Sequence, residues 1–531
     1  MKKYEINSRR YFAGALISIL ISTIFAVTLQ FIKGDVLDFA VAGETRKTIC
    51  SAAMLVCFIL AEVLSYYVFQ CFSAKYSIGC ISELRQDIFD SIFGCSYVEY
   101  KNRSQGEYIA KYMTEAESIR DRRFRMLPML WDILFKIILV SVALFWLDWR
   151  IALITIVLLT TPLYIPKLIE SRLQQAQTAY LKAMEDNLAK VTDWLSGFEI
   201  IKNFSIEGKI REKYRAINDD AMEKLLRDTR IGAVAQMITT LISYLSYFIV
   251  LICATWLVLR GDFSAGDFFV AIGMIDQLSY PLISLAGIVR ELIAIKPTCA
   301  EMAEFLKPAQ TVQISNRATI LRSHIRFRDV SFSYDGKRSI LSDFNLIVKK
   351  GRRYLIKGPS GCGKTTAVNL LLKYFPVTGG HIEIDGSPLE KIGSTYGLLT
   401  VVRQEAILFH DTLRNNLTMY QDVPEEQLLA ALKSVGLHRY ANPQALDSLV
   451  AEGGANYSGG EKKRICLARA LLRNTDVLIL DEPLANLDAE TAERIEDLLL
   501  SIQNRTLLIV SHQFTEEKLC HFDQVIDFAL S

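Results

Sequence analysis

Two uncharged stretches, residues 11–32 and 231–259, constrain this chain more than anything else in it. Each exceeds the roughly 20 helical residues that cross the ~30 Å hydrocarbon layer of a bilayer, where every backbone polar group must be bonded within the protein. Four further stretches follow the same logic: 48–74 around Glu62, 127–147 around Asp132 and Lys136, 151–166, and 268–289 around Asp276. The reading is six spans in an integral, multi-pass membrane protein, and a hydrophobic content of 51% agrees with it. Residues 11–32 are too long for the apolar core of a secretory signal and lack a small-residue cleavage site, so they are read as a retained helix. Basic residues precede the first span (Lys2, Lys3, Arg9, Arg10) and the third (Arg120, Arg122, Arg123, Arg125), which places both termini in the cytoplasm. A net charge of +2 provides no basic field, and nucleic acid is not an expected partner. The ten cysteines show no metal-ligand spacing and read as reduced thiols.

Residues 75–125 and 167–230 are too polar for a bilayer, yet their apolar positions recur at helical spacing. They are read as membrane helices that continue into the cytoplasm and turn back. The outer connections, 33–47, 147–150 and 260–267, are short. After Lys296-Pro297 the chain turns polar, and from residue 325 short β-rich runs alternate with helices and glycine turns, the pattern of an α/β domain with a largely parallel sheet. The expected organisation is a helical membrane domain over 1–300, a linker over 301–324 and an α/β domain over 325–531.

Within the second domain, Gly358-Pro359-Ser360-Gly361-Cys362-Gly363-Lys364-Thr365 follows a strand-like run and opens a helix at Thr366. Glycines let backbone N–H groups converge on phosphate oxygens at a helix start, Lys364 bridges the β and γ phosphates, and Thr365 can ligate Mg²⁺. Strand, lysine and helix together disfavour a chance glycine-rich turn. The apolar run 477–480 ends in Asp481-Glu482. Asp481 is expected to hold Mg²⁺ through water, and Glu482 to polarise the attacking water. Alone, this pair would read as a solvated strand end; beside the phosphate loop it reads as catalytic.

Further motifs in a fixed order carry a resemblance. Tyr457-Ser458-Gly459-Gly460-Glu461 is similar to the signature motif of ATP-binding cassette (ABC) proteins, Gln404 to the Q-loop, His512 to the switch histidine, Asp488 to the D-loop and Tyr334 to the aromatic that stacks on adenine. The whole chain resembles an exporter-type half-transporter: six spans followed by an ABC-type P-loop domain. The resemblance implies Gln404 near Mg²⁺ and water, His512 on the γ phosphate, and a head-to-tail dimer in which Ser458, Gly459, Gly460 and Glu461 of one chain face ATP on the other. It implies ATP-driven closure of the nucleotide domains and resetting by hydrolysis, a translocase activity. It also implies coupling near residues 100–109 and 198–205, and through Glu452. The partner is a second half-transporter, as homodimer or paralogous heterodimer, and the layout suggests a prokaryotic plasma membrane.

Glu461 in place of glutamine and Tyr457 in place of leucine depart from the usual signature and are expected to retune hydrolysis rather than abolish it. Cys362 stands where serine is more common and predicts sensitivity to alkylation. Membrane carboxylates face a bundle interior or a wet cavity, so Glu62 and Asp276 are candidates for the substrate path, while Asp132 and Lys136 have the spacing of an i,i+4 pair. The expected cargo is an amphipathic small molecule or peptide. Uptake or redox-cofactor transport, and a non-transporting ATP-gated regulator, are the competing readings.

Overall fold

The computed structural model describes residues 1–160, 165–307, 320–334, 336–359, 361–485, 487–511, 514 and 516–528. They form two compact units, Met1–Phe93 with Ser104–Lys307, and Gly94–Arg103 with Pro308–Ser531.

The first unit is helical. After a short α1 (Lys2–Asn7) come α2 (Arg9–Val41) and α3 (Thr45–Gly94), and the turn between these two is only residues 42–44. Beyond α4 (Tyr97–Lys101), which belongs to the second unit, lie α5 (Gln105–Leu147), α6 (Trp149–Thr160), α7 (Ile165–Ser196), α8 (Phe198–Asn203), α9 (Glu207–Leu259) and α10 (Ala265–Phe305). α2, α3, α5, α9 and α10 are each long and apolar enough to span a bilayer. The sixth span is the apolar α6, which stops short of residues 161–164, outside the described set. At 50 residues, α3 is about 75 Å long, more than twice the hydrocarbon thickness, so it is long enough to extend well beyond a bilayer.

The first outer connection is shorter than the sequence suggests because α2 continues past its apolar run. Asp38 ends it, accepting the Ser264 hydroxyl and the Gly266 amide, both at 2.7 Å, where α10 begins. Below this contact α2 and α10 touch through glycines. A Cβ on Gly266 would lie 2.5 Å from the Gly34 carbonyl oxygen, and one on Gly34 would lie 2.5 Å from Val270. Further along, the Gln277 side chain donates to the Ala26 carbonyl at 3.1 Å. Asp132 and Lys136 form the i,i+4 pair, 2.9 Å apart. At the opposite end of α2, α1 is tied to α3: Tyr4 and Lys3 both reach Asp87 at 2.7 Å, and Asn7 reaches Glu83 at 2.8 Å. Glu5 pairs with Arg123, at 2.7 Å, in the second of two π-helical turns of α5, Lys111–Glu115 and Arg120–Phe124.

The second unit has two sheets. One is antiparallel, ordered β2-β1-β4-β5, from β1 (His324–Phe332), β2 (Leu341–Lys349), β4 (Gly379–Ile384) and β5 (Ser387–Pro388). The other is parallel, ordered β6-β7-β8-β3-β9, from β3 (Arg353–Lys357), β6 (Leu399–Val402), β7 (Val477–Asp481), β8 (Thr506–Val510) and β9 (Gln524–Asp527). All five residues of β7 and of β8 are buried, which explains their unbroken apolar runs. Helices α11 (Lys364–Leu371), α12 (Leu413–Thr418), α13 (Glu425–Ser434), α14 (Pro443–Leu446), α15 (Gly459–Leu472) and α16 (Ala489–Ser501) surround the parallel sheet.

The glycine contact generates a stability prediction. Gly266→Ala should force α2 and α10 apart and destabilise the protein by about 1–3 kcal/mol, read as a lower thermal unfolding midpoint in detergent. Gly287→Ala, on the same helix with nothing within 4 Å of its new methyl, should leave the midpoint unchanged or raise it.

Candidate nucleotide site

Parallel strands bring their carboxyl ends to one edge of a sheet, and here that edge collects the chemistry. The phosphate loop follows β3, Gln404 follows β6, Glu482 follows β7, and Ser511 follows β8, donating its amide to the Ile356 carbonyl at 3.3 Å. His512 and Ser360 lie outside the described residues.

The loop's form requires glycine. Gly358 and Gly363 have φ of +142° and +103°, and a Cβ on Gly363 would lie 2.7 Å from Leu341. Lys364 is buried, with its ammonium folded back onto the Gly358 and Pro359 carbonyls and 3.8 Å from the Cys362 sulfur. Thr365 donates to Asp481 at 3.3 Å. This hydroxyl and this buried carboxylate are a donor pair that suits Mg²⁺. Glu482 has φ +51°, a left-handed conformation that a non-glycine residue keeps only when held, and its amide is bonded to the Val510 carbonyl at 2.9 Å. Thr365, Thr366, Gln404, Asp481 and Glu482 line one cleft of about 450 Å³, together with Tyr334, Gly361, Gly363 and Lys364.

Tyr334 closes one end of that cleft. Its ring stands edge-on to Phe332 and Phe375, its hydroxyl lies 3.2 Å from the Thr366 hydroxyl, and it remains 54% exposed, which leaves ring surface for a planar base.

None of Ser458, Gly459, Gly460 and Glu461 lines this cleft. They form the start of α15, where Ser458 is the N-cap and Glu461 closes a capping box. Asp488 caps α16, accepting the Thr491 amide at 2.9 Å, and this bond holds its carboxyl below the usual carboxylate range. Glu452 is exposed in the turn Glu452–Gly454.

Some functional candidates escape sequence reasoning. Residues 100–109, expected to carry coupling, take in the start of α5, capped by Ser104, and the end of α4, which a capping box of Ser96 and Glu99 starts. Tyr97 of α4 stacks on Tyr374 at 3.8 Å and 11°. The Arg403 guanidinium lies 5.7 Å over that same Tyr374 ring and donates to Asn369 of α11 at 2.7 Å. The serine-to-glutamate spacing at 96–99 and 104–107 signals both starts; a stack between residues 277 positions apart has no such signal.

The ABC transporter transmembrane region matches residues 11–282, and the ABC transporter domain matches residues 341–485. The chain belongs to the ABC transporters. It is 27% identical to the ABC transporter ATP-binding protein YwjA of Bacillus subtilis (strain 168), over 88% of this chain and 83% of that protein. It is 26% identical to the ATP-dependent lipid A-core flippase of Aromatoleum aromaticum, over 89% and 80%. Among solved structures, a bacterial Atm1-family ABC exporter with ATP bound superposes with a TM-score of 0.80 at 22% identity, covering 98% of this chain and 94% of that one. At that identity the likeness is one of fold. As in that exporter, a helical membrane region precedes an ATP-binding domain in one chain.

Cys362, half-buried against Lys364, sits where a bulky adduct collides with bound phosphate. Maleimide treatment should abolish binding of a fluorescent ATP analogue to this ABC transporter, ATP should protect against it, and Cys362→Ser should resist it.

Proposed function

We propose that this ABC transporter exports an amphipathic small molecule or peptide across a prokaryotic plasma membrane, working as a dimer of half-transporters driven by ATP. The observation that carries the proposal is the separation of the ATP cleft from the signature helix start within one chain. A phosphate loop that ends in open space and a helix start with unused N–H groups elsewhere on the domain are complementary halves of one site, and a second copy supplies each with the other.

In the closed dimer the phosphates lie on the loop amides and Lys364. Thr365 and, through water, Asp481 would hold Mg²⁺, which would supply positive charge beside the phosphates. Glu482 takes the proton of the attacking water, and Gln404 and His512 orient that water and the γ phosphate. Ser458, Gly459 and Gly460 of the partner chain complete the cage. Tyr97, Tyr374 and Arg403 give the neighbour of Gln404 a direct line to α4, so a change at the phosphate reaches the turn of a membrane helix. The second turn, α8, presents exposed Phe198, Ile200 and Phe204, and we assign it to docking on the partner's nucleotide domain.

Cargo selection falls to the membrane carboxylates that the chain leaves open. Asp132 is matched by Lys136 and Asp148 by Arg150. Asp276 is exposed on α10 with Tyr280 one turn on, and Glu62 is half-buried on α3. A carboxylate facing an inner cavity favours a cargo with a cationic group.

The test is transport of amphipathic cations and peptides into sealed vesicles, with ATPase measured beside it. Glu482→Gln should lower kcat at least a hundredfold while ATP still binds. Asp276→Asn should keep basal ATPase and lose most stimulation by cationic compounds. Hydrolysis with no cargo movement for any compound would overturn export and favour an ATP-gated regulator.

A further inference from the structure

The signature segment contains a hydrogen-bond chain that the ATP reading does not use. Glu461 accepts the Ser458 amide at 2.8 Å through one carboxylate oxygen and the Tyr440 hydroxyl at 3.0 Å through the other. In return the Glu461 amide donates to the Ser458 hydroxyl oxygen at 3.2 Å. Tyr440 ends the turn His438–Tyr440, between α13 and α14, and its ring packs on Tyr457 at 5.1 Å. We infer that Tyr440 and Glu461 are positioning residues that hold the signature serine in place at the start of α15.

The inference follows from donor and acceptor capacity. The Ser458 oxygen accepts a hydrogen bond within the box, which fixes it in place. An ionised carboxylate is acceptor-only, and the groups facing it, one amide and one phenol, are both donors. Glutamine, the residue more usual at this position, would turn an NH₂ toward one of them. The glutamate and the tyrosine are therefore a matched pair, which gives the departure at 461 a physical reason. Gly459 and Gly460, first and second residues of α15, keep their N–H groups unused by the helix, so two donors converge at its start.

The charge is held in place as well as the geometry. Burial pushes the Glu461 carboxyl up, but the Ser458 amide, the Tyr440 hydroxyl, the Ser458 hydroxyl and the Arg464 guanidinium together hold it below its ordinary value. Tyr457 also faces it, and Arg439 lies 5.7 Å over the Tyr440 ring. A depressed carboxyl keeps its bonds at all pH values above its folded pKa and loses them only as pH falls through it. Removing the Tyr440 hydroxyl removes one lowering cause, so the acid limb of activity moves to higher pH.

This inference rests on the proposal that Ser458 meets ATP of the partner chain, and the experiment separates the two. Full-length protein in lipid nanodiscs is assayed for ATPase against ATP concentration and pH, with fluorescent ATP analogue binding measured in parallel. Tyr440→Phe keeps the ring contact with Tyr457 and should lower kcat by about tenfold, raise the pH of the acid limb and leave analogue binding unchanged. In a Glu461→Gln background, which is expected to stay active and to lack that limb, Tyr440→Phe should have no further effect. An equal loss in both backgrounds, or no loss in either, overturns the positioning role. If Ser458→Ala instead turns over at the wild-type rate, the ATP contact itself fails, whatever Tyr440→Phe does.

Discussion

A backbone N–H without a partner is costly in lipid and useful beside a phosphate, and that one fact shapes both halves of this protein. In the membrane half it enforces continuity: α2, α3, α5, α9 and α10 run for 33 to 53 residues without exposing a helix end to hydrocarbon. Where α10 does begin, Ser264 and Asp267 form a capping box and Asp38 of α2 takes the Gly266 amide. In the nucleotide half the same groups are deliberately left open, at the start of α11 and the start of α15.

The two open starts differ in how they are held. The phosphate loop has no capping side chain, and left-handed glycines at 358, 361 and 363 carry its backbone around a space the size of a phosphate. At α15 a side-chain box consumes the Ser458 and Glu461 amides and leaves those of Gly459 and Gly460. α15 is also tied to the opposite end of the chemistry: the Lys463 ammonium donates to the Ala485 carbonyl at 2.7 Å and to the Glu482 carbonyl at 3.4 Å. Burial lowers the Lys463 pKa, so these carbonyls hold a partly desolvated cation. α15 is thereby fastened to the loop that carries Glu482.

Much of this was readable because the responsible physics is local. Span length, the spacing of Gly358 to Thr365, and an apolar strand closed by Asp481 and Glu482 each concern neighbours in sequence. The capping boxes at Ser96, Ser264 and Ser458 and the N-cap at Ser104 are equally local. A five-residue helix such as α4 has no periodicity to detect, and only its cap signals it. The outer end of α2 was misplaced for a different reason: Asp35 and Asp38 look like the start of a loop until the α10 start that Asp38 serves is known.

By itself the sequence determined that this chain lies in a membrane and carries an ABC-type ATP-binding domain, because apolar length and motif order survive in one dimension. Only the tertiary structure decided that the signature start stands apart from the ATP cleft of its own chain. Only it brought Tyr97 onto Tyr374 and Tyr440 onto Glu461. Those contacts join segments whose separation along the chain is set by loops and helices between them, and hydrogen bonds or ring stacks leave no periodic trace in either segment.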